Sequence, residues 1–229
     1  MGSSGGDIPD RRTTGIVLAA GAGTRLGLGP KAMLPYRGRP LVEVIAGTLL
    51  DGGCREVVVV LGAGAPDVAA IADLDRYRIA VNTDWRTGMG SSFLLAEREA
   101  DPADHLLIAL VDQPGLTRAT VGRLLAFHRP GRITAAAYHR RQTSDGGRPT
   151  TQEAGQEAGE QSGKQDKLLR GHPLLIDASL REAVSATITG DAGARGFLQS
   201  HPELVDEVDC SDQSTGEDID SPDQLRLLD

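Results

Sequence analysis

Aromatic residues make up only 3% of this 229-residue chain, so any core has to be assembled from Val, Leu, Ile and Ala. Cysteine is almost as scarce. Cys54 and Cys210 lie far apart and fit no zinc-ligand spacing, which excludes a disulfide framework or a zinc ribbon. Both are expected to be ordinary thiols in a reducing compartment. Long hydrophobic runs are missing: the longest aliphatic stretch, Leu106–Val111, is far too short to cross a membrane. The polar N-terminal tail, residues 1–12, lacks the apolar segment of a signal peptide. An excess of positive charge is missing too, because the net charge is −8, and this argues against a general nucleic-acid or anionic-membrane surface. The expectation is a soluble, cytoplasmic protein with neither nucleic acid nor membrane as a partner.

What is present is an alternation of apolar runs and helical periods. Strands are expected near 15–19, 56–61, 79–81, 105–111, 133–138 and 173–176, and helices near 41–50, 66–72, 91–100, 117–128, 192–199 and 222–228. Leu41, Ile45 and Leu49 recur at every fourth position, as the buried stripe of a helix does. Ser221, Pro222 and Gln224 read as a helix start with a capping box. This order predicts one α/β domain over residues 1–229, a three-layer α/β/α sandwich around a mostly parallel sheet. Residues 140–167 contain no aliphatic side chain larger than alanine, too little apolar surface to offset the entropy of ordering, and are expected to be a disordered insertion.

The run Leu18-Ala19-Ala20-Gly21-Ala22-Gly23-Thr24-Arg25-Leu26-Gly27, closed by Pro30-Lys31, follows the first strand. Small residues there let backbone amides approach anionic oxygens closely, and Arg25 and Lys31 add fixed positive charge. The loop suits a nucleoside triphosphate. It is not a Walker A loop, because Pro30 separates Gly29 from Lys31 and Ala32 has no hydroxyl for a cation. Nor is it the dinucleotide fingerprint, since Gly21, Gly23 and Gly27 run one residue too long. A second apolar strand delivers Asp112 to its C-terminal end, in Leu110-Val111-Asp112-Gln113-Pro114. Asp112 either begins a turn fixed by Pro114 or offers a hard oxygen ligand to Mg²⁺ beside the triphosphate.

The segment from Leu18 to Lys31 resembles the Leu-Ala-Ala-Gly-x-Gly-x-Arg-Met-Gly-x-x-Lys signature of the MobA-like nucleotidyltransferase family, with Leu26 in place of Met and one extra residue before Lys31. Asp112-Gln113-Pro114 is similar to the family's Asp-x-Pro metal motif. Asp218-Ile219-Asp220-Ser221-Pro222-Asp223 resembles the Asp-Ile-Asp-Thr-Pro segment of the molybdenum cofactor cytidylyltransferase branch. The resemblance implies a Rossmann-like nucleotidyltransferase fold and Mg²⁺ held by Asp112, Asp220 and Asp218. It implies nucleotide contacts from Leu18, Ala19, Ala20, Gly21, Gly23, Arg25 and Lys31, joined by Asn82, Gly88 and Ser91 of a segment resembling Asn-Pro-x-Trp-x-x-Gly-Met-x-x-Ser. Gly88 and Gly90 are expected to form a flexible turn, with Ser91 or Ser92 capping the helix after it. His172, Asp191 and Arg195, in loops resembling the branch's acceptor pocket, are expected to bind the acceptor. Arg195 suits a phosphate because its planar fork binds two oxygens at once.

The expected reaction is Mg²⁺-dependent transfer of CMP from CTP to the molybdenum cofactor with release of pyrophosphate, and a molybdoenzyme would then receive the product. Arg25, Lys31 and Asp112 carry the catalysis in this reading. CTP is favoured by Ala20, whose methyl could exclude a purine where the guanylyl branch has Gly. Two alternatives stay open: the same chemistry on a sugar or alcohol phosphate, and a non-catalytic chaperone that binds nucleotide or cofactor.

Overall fold

The computed structural model describes residues 12–139 and 168–228. The expected disordered insertion, 140–167, lies outside them, as does the N-terminal tail up to residue 11. The elements are, in chain order, β1 (Thr13–Ala19), β2 (Pro35–Tyr36), β3 (Arg39–Pro40), α1 (Leu41–Asp51), β4 (Glu56–Leu61), α2 (Ala65–Ile71), β5 (Arg78–Val81), α3 (Met89–Glu99), β6 (His105–Leu110), α4 (Arg118–Phe127), β7 (Ile133–His139), β8 (Leu168–Ile176), α5 (Arg181–Ser185), α6 (Arg195–Ser200) and β9 (Val205–Asp209). Seven strands form one sheet in the order β5-β4-β1-β6-β8-β7-β9. Only β8 runs against the others.

Strand alternation explains the three layers. Val17, Ala19, Val57, Val59, Leu107 and Ala109 face α1 and α4 and form one core. Ile16, Leu18, Val58, Val60, Leu106 and Ile108 face Phe93 of α3, Val184 of α5 and Phe197 of α6. Both faces are covered, which is why β1 and β4 read as unbroken apolar runs instead of alternating ones. Leu41, Ile45 and Leu49 are fully buried along α1, as their spacing requires. Cys54 and Cys210 are free thiols inside the protein, and burial pushes Cys54 up to about 12.

Several expectations need correcting. The segment over 222–228 winds as a 3-10 helix instead of an α-helix. The strand expected at 173–176 begins at Leu168, and β9, α5 and the β2–β3 hairpin were not anticipated. Those elements are short or lack a clear period, so packing rather than local pattern decides them.

The direction of winding reverses at β1, with β4 on one side and β6 on the other. Ligands of open α/β sheets bind outside the strand ends at such a point. Val111 N–H donates to Leu18 O at 3.2 Å, and Ala63 N–H to Ala20 O at 3.0 Å. These bonds tie the three strand ends around one crevice.

Candidate active site

The glycine-rich loop leaves β1 into this crevice. Gly23 has φ +64°, and a Cβ there would overlap the Gly29 carbonyl oxygen, so the loop closes on itself only with glycine at this position. Leu26 N–H and Gly27 N–H both donate to Gly23 O. Gly21 has open space around its missing side chain. Leu18, Ala19 and Ala20 are buried, which leaves backbone atoms as their means of touching a ligand. The Ala20 methyl lies against Gly62, where an added Cβ would come within 2.8 Å of it, so it is not the free methyl imagined against a purine. Arg25 is exposed and forms no ion pair with the described residues.

The turn Lys31–Met33, anchored by buried Ala32, sends the Lys31 side chain across to the end of β6. Its ammonium donates to Asp112 Oδ2 at 2.8 Å and to Asp220 Oδ1 at 2.7 Å. Burial would lower the Lys31 pKa, but these two bonds and the carboxylate charges outweigh it and leave it raised. The C-terminal segment reaches the site because Ile219 is fully buried and its N–H donates to Asp112 O at 2.9 Å. Gln113 clamps the same segment: its Nε2 donates to Asp218 Oδ1 at 2.7 Å and to Gly216 O at 3.4 Å. Gln224 Oε1 accepts from the backbone N–H of Asp220 (2.8 Å) and Ser221 (2.9 Å), the reach-back arm of the expected capping box.

Three carboxylates therefore gather where one strand ends. The Asp218 carboxyl is pushed up by burial and then by the charge of Asp112. Asp112 Oδ1 is buried and has no hydrogen-bond partner among the described residues. An oxygen-only donor set with one unsatisfied buried oxygen fits a hard divalent cation such as Mg²⁺. Asp112 and Asp220 would hold it and Asp218 stands beside them.

The turn expected to touch the nucleotide is held by its own side chains. Asn82 Nδ2 donates to Ser91 Oγ at 2.8 Å and to Ser92 Oγ at 2.9 Å, and its Oδ1 accepts from Asp84 N–H at 2.9 Å. Neither serine caps α3, because the helix starts two residues earlier, at Met89. The cap comes instead from Asp191, whose Oδ1 accepts from Met89 N–H at 3.1 Å, while Gly90 N–H donates to Gly190 O at 2.8 Å. Asp191, itself exposed, thus ties two loops together through this oxygen. Gly88, at φ +116°, is pinned and not flexible: a Cβ there would stand 2.5 Å from the Gly190 carbonyl carbon and 2.6 Å from Asp191 Oδ1. Gly88→Ala is expected to destabilise the fold by about 2–3 kcal/mol, lowering the Tm by about 4–12 °C. Differential scanning calorimetry checks this, and an unchanged Tm would mean that the two loops do not hold each other.

His172 and Arg195 do come together, on the wall of a cavity of about 1050 Å³ that also reaches Tyr138, Gln113 and Asp218. Burial, with help from the Arg195 charge, pulls the His172 imidazole down to about 4, so it is neutral near pH 7. Tyr138 Oη donates to His172 O at 2.8 Å and fixes that wall. Gln113 and Tyr138 were missed from sequence. Gln113 lay inside the Asp-x-Pro motif as its variable letter, and nothing local marks Tyr138. At the other end of β6, about 20 Å away, half-buried His105 meets buried His128 and Asp177. Ala178 N–H donates to His105 Nδ1 at 3.0 Å, and His128 bridges Thr134 Oγ1 and Asp177 Oδ2. That set is an interior polar network far from the crevice.

The sequence profile of the MobA-like NTP transferase domain matches residues 15–205. The chain is 55% identical over 224 residues to nicotine blue oxidoreductase of Paenarthrobacter nicotinovorans, covering 97% of this chain and 100% of that one. It is 31% identical to the molybdenum cofactor guanylyltransferase of Xanthomonas euvesicatoria pv. vesicatoria, over 85% of this chain and 84% of that one. Among solved structures, a nucleotidyl transferase from Methanothermobacter superposes with a TM-score of 0.73 at 23% identity, covering 95% of this chain and 96% of that one. A Mycobacterium tuberculosis protein in complex with manganese superposes with a TM-score of 0.70 at 25% identity, covering 95% and 98%. Among the described residues, no helix is long and apolar enough to cross a membrane.

Proposed function

This chain belongs to the MobA-like NTP transferase family, and from that premise we propose that it transfers a nucleotidyl group from a nucleoside triphosphate to a phosphorylated acceptor. The observation that carries the reading is the meeting of Asp112, Asp220 and Lys31 within hydrogen-bond distance at the mouth of the glycine-rich loop. An oxygen of the acceptor's phosphate attacks the α-phosphorus, a new P–O bond forms, and the bond to pyrophosphate breaks. No protein nucleophile is needed, so the work is alignment and charge neutralisation. Amides of the loop receive the triphosphate oxygens, and Arg25 and Lys31 balance the charge that builds on departing pyrophosphate. Arg195 holds the acceptor phosphate at the cavity wall. Mg²⁺, when held by Asp112 and Asp220, supplies Lewis-acid stabilisation of the phosphoryl oxygens.

The finer proposal is CTP as donor and the molybdenum cofactor as acceptor, supported by the resemblance of the Asp218–Pro222 and Gly190–Arg195 segments to the cytidylyltransferase branch. The base preference rests on that resemblance, since the Ala20 methyl is packed against Gly62. A second reading is favoured by one specific observation, the 55% identity to nicotine blue oxidoreductase over the whole of that protein. Here the crevice would hold a reduced nicotinamide dinucleotide, and the adjoining cavity a conjugated compound that accepts the hydride, with a proton from solvent.

One experiment separates the readings. The purified chain is offered each NTP with Mg²⁺ and the molybdenum cofactor or a panel of sugar phosphates, and pyrophosphate is measured. In parallel it is offered NADH or NADPH with nicotine blue, and absorbance is followed. Pyrophosphate with CTP and the cofactor supports the finer proposal; pyrophosphate with a sugar phosphate keeps the chemistry and changes the acceptor. Bleaching of nicotine blue without pyrophosphate in any arm overturns the transfer reading. Tight nucleotide binding without either reaction points to a non-catalytic carrier.

A further inference from the structure

We propose that Lys31 is a built-in counter-ion that occupies the divalent-cation position of this site, so that cation binding is an exchange in which the ammonium must leave. The inference rests on the reading of Asp112 and Asp220 as cation ligands and goes beyond it. The Lys31 Nζ lies 2.8 Å from Asp112 Oδ2 and 2.7 Å from Asp220 Oδ1, bridging carboxylates from two distant parts of the chain. A Mg²⁺ ion coordinates carboxylate oxygen at about 2.0–2.1 Å, so an ion shared by the same two oxygens would have to sit in the space the ammonium fills. Two cations cannot share that space, for reasons of volume and of charge.

The surroundings favour such an exchange over a permanent ion pair. Asp220 is half exposed (48%), whereas the Lys31 side chain is 14% exposed and Asp112 is 21% exposed. The Asp220 end can open to water at little cost, while Asp112 is the more buried end, its other oxygen, Oδ1, buried with no hydrogen-bond partner among the described residues. Lys31 starts from a 3-10 turn directly after the glycine-rich loop, so the same side chain can swing towards a bound triphosphate while its backbone stays in place. Arriving as a metal–nucleotide complex, the ligand brings both halves of the exchange. The divalent ion replaces the ammonium between the carboxylates, and the phosphates give the ammonium a new partner. Metal alone has to displace Lys31 with nothing to receive it.

The test is a titration of the full chain with Mn²⁺ alone, read by electron paramagnetic resonance without nucleotide or acceptor. Lys31→Met and Lys31→Gln are each expected to bind Mn²⁺ at least tenfold more tightly than the wild-type chain. Lys31→Arg, which keeps the cation, is expected to stay within threefold of wild type. Adding Asp112→Asn to Lys31→Met should remove the gain. The metal-free Lys31→Met chain should also melt at a lower temperature than wild type and be raised further by Mn²⁺. This keeps the test readable where the variant folds poorly without the ion. Wild-type binding of Mn²⁺ with no tightening in either neutral variant overturns the exchange and leaves the cation site standing. No Mn²⁺ binding by any of the chains overturns both. Neither result depends on whether transfer activity is found.

Discussion

Asp112→Asn is expected to lower nucleotidyl transfer by about 10³-fold or more while shifting the Tm by no more than about 4 °C. The side chain sits at the end of a strand whose register is set by its neighbours, with Leu106 to Leu110 paired to Thr14 to Leu18. Asn keeps that shape, and the backbone bond from Ile219 N–H to Asp112 O does not depend on the side chain. What changes is charge. The Asn amide cannot present an anionic oxygen to a cation, and one of its two positions now carries hydrogens towards Lys31. A steady-state assay of pyrophosphate release gives kcat, and calorimetry gives the Tm. Activity within tenfold of wild type would sink the assignment of Asp112, and with it the metal site drawn around it.

Gly23→Ala is expected to be nearly as damaging by a different route. The position combines φ +64° with a Cβ that would overlap the Gly29 carbonyl oxygen. That neighbour is backbone, so it cannot rotate away as a long side chain would. The loop has to open, and its amides, which the proposed function assigns to the triphosphate, separate from Lys31, which follows two residues after Gly29. Nucleotide affinity should fall at least about 100-fold, in keeping with the loss of two or more hydrogen bonds to a charged ligand. The rest of the fold lies in the sheet and should keep its cooperative melt. Isothermal titration with CTP and with NADPH reads the affinity for both ligands that the two functional readings require. Gly21→Ala is the control, because its Cβ would meet nothing within 4 Å. Equal affinities for the two variants would show that loop closure is not what holds the nucleotide.

The legible parts of this protein were those with a long-range period or a dense motif. Val57 to Leu61 reads as a buried strand because burial on both sides of a sheet leaves no room for alternation, and Leu41, Ile45 and Leu49 read as one face of a helix because they recur at the helical period. The glycine-rich loop declared itself because glycine at φ > 0 is a local requirement written as a single letter. The Leu-Ala-Ala-Gly, Asp-x-Pro and Asp-Ile-Asp segments then pointed to a MobA-like chain, and the family was right. Less legible were elements that a neighbour imposes. Pro222–Leu228 has the letters of an α-helix start, yet the capping glutamine bonds back to Asp220 and Ser221 and the segment winds more tightly as a 3-10 helix. Ser91 and Ser92 looked like caps, but a cap is defined by where the helix begins. That point is set by Asp191, about a hundred residues later in the chain.

The sequence by itself determined the layered α/β architecture, the place of the glycine-rich loop after β1 and the presence of an aspartate at the end of β6, because each depends on local periodicity or on a dense motif. Only the tertiary structure decided what those groups do to one another. Lys31 lies between Asp112 and Asp220, Gln113 holds Asp218, Asp191 closes α3, and the Ala20 methyl is spent against Gly62. Each of these pairings crosses dozens of residues or more. It is fixed by strand order and by a buried Ile219 rather than by spacing, and the energy of an ion pair or a hydrogen bond depends on distance in space, which sequence separation does not record.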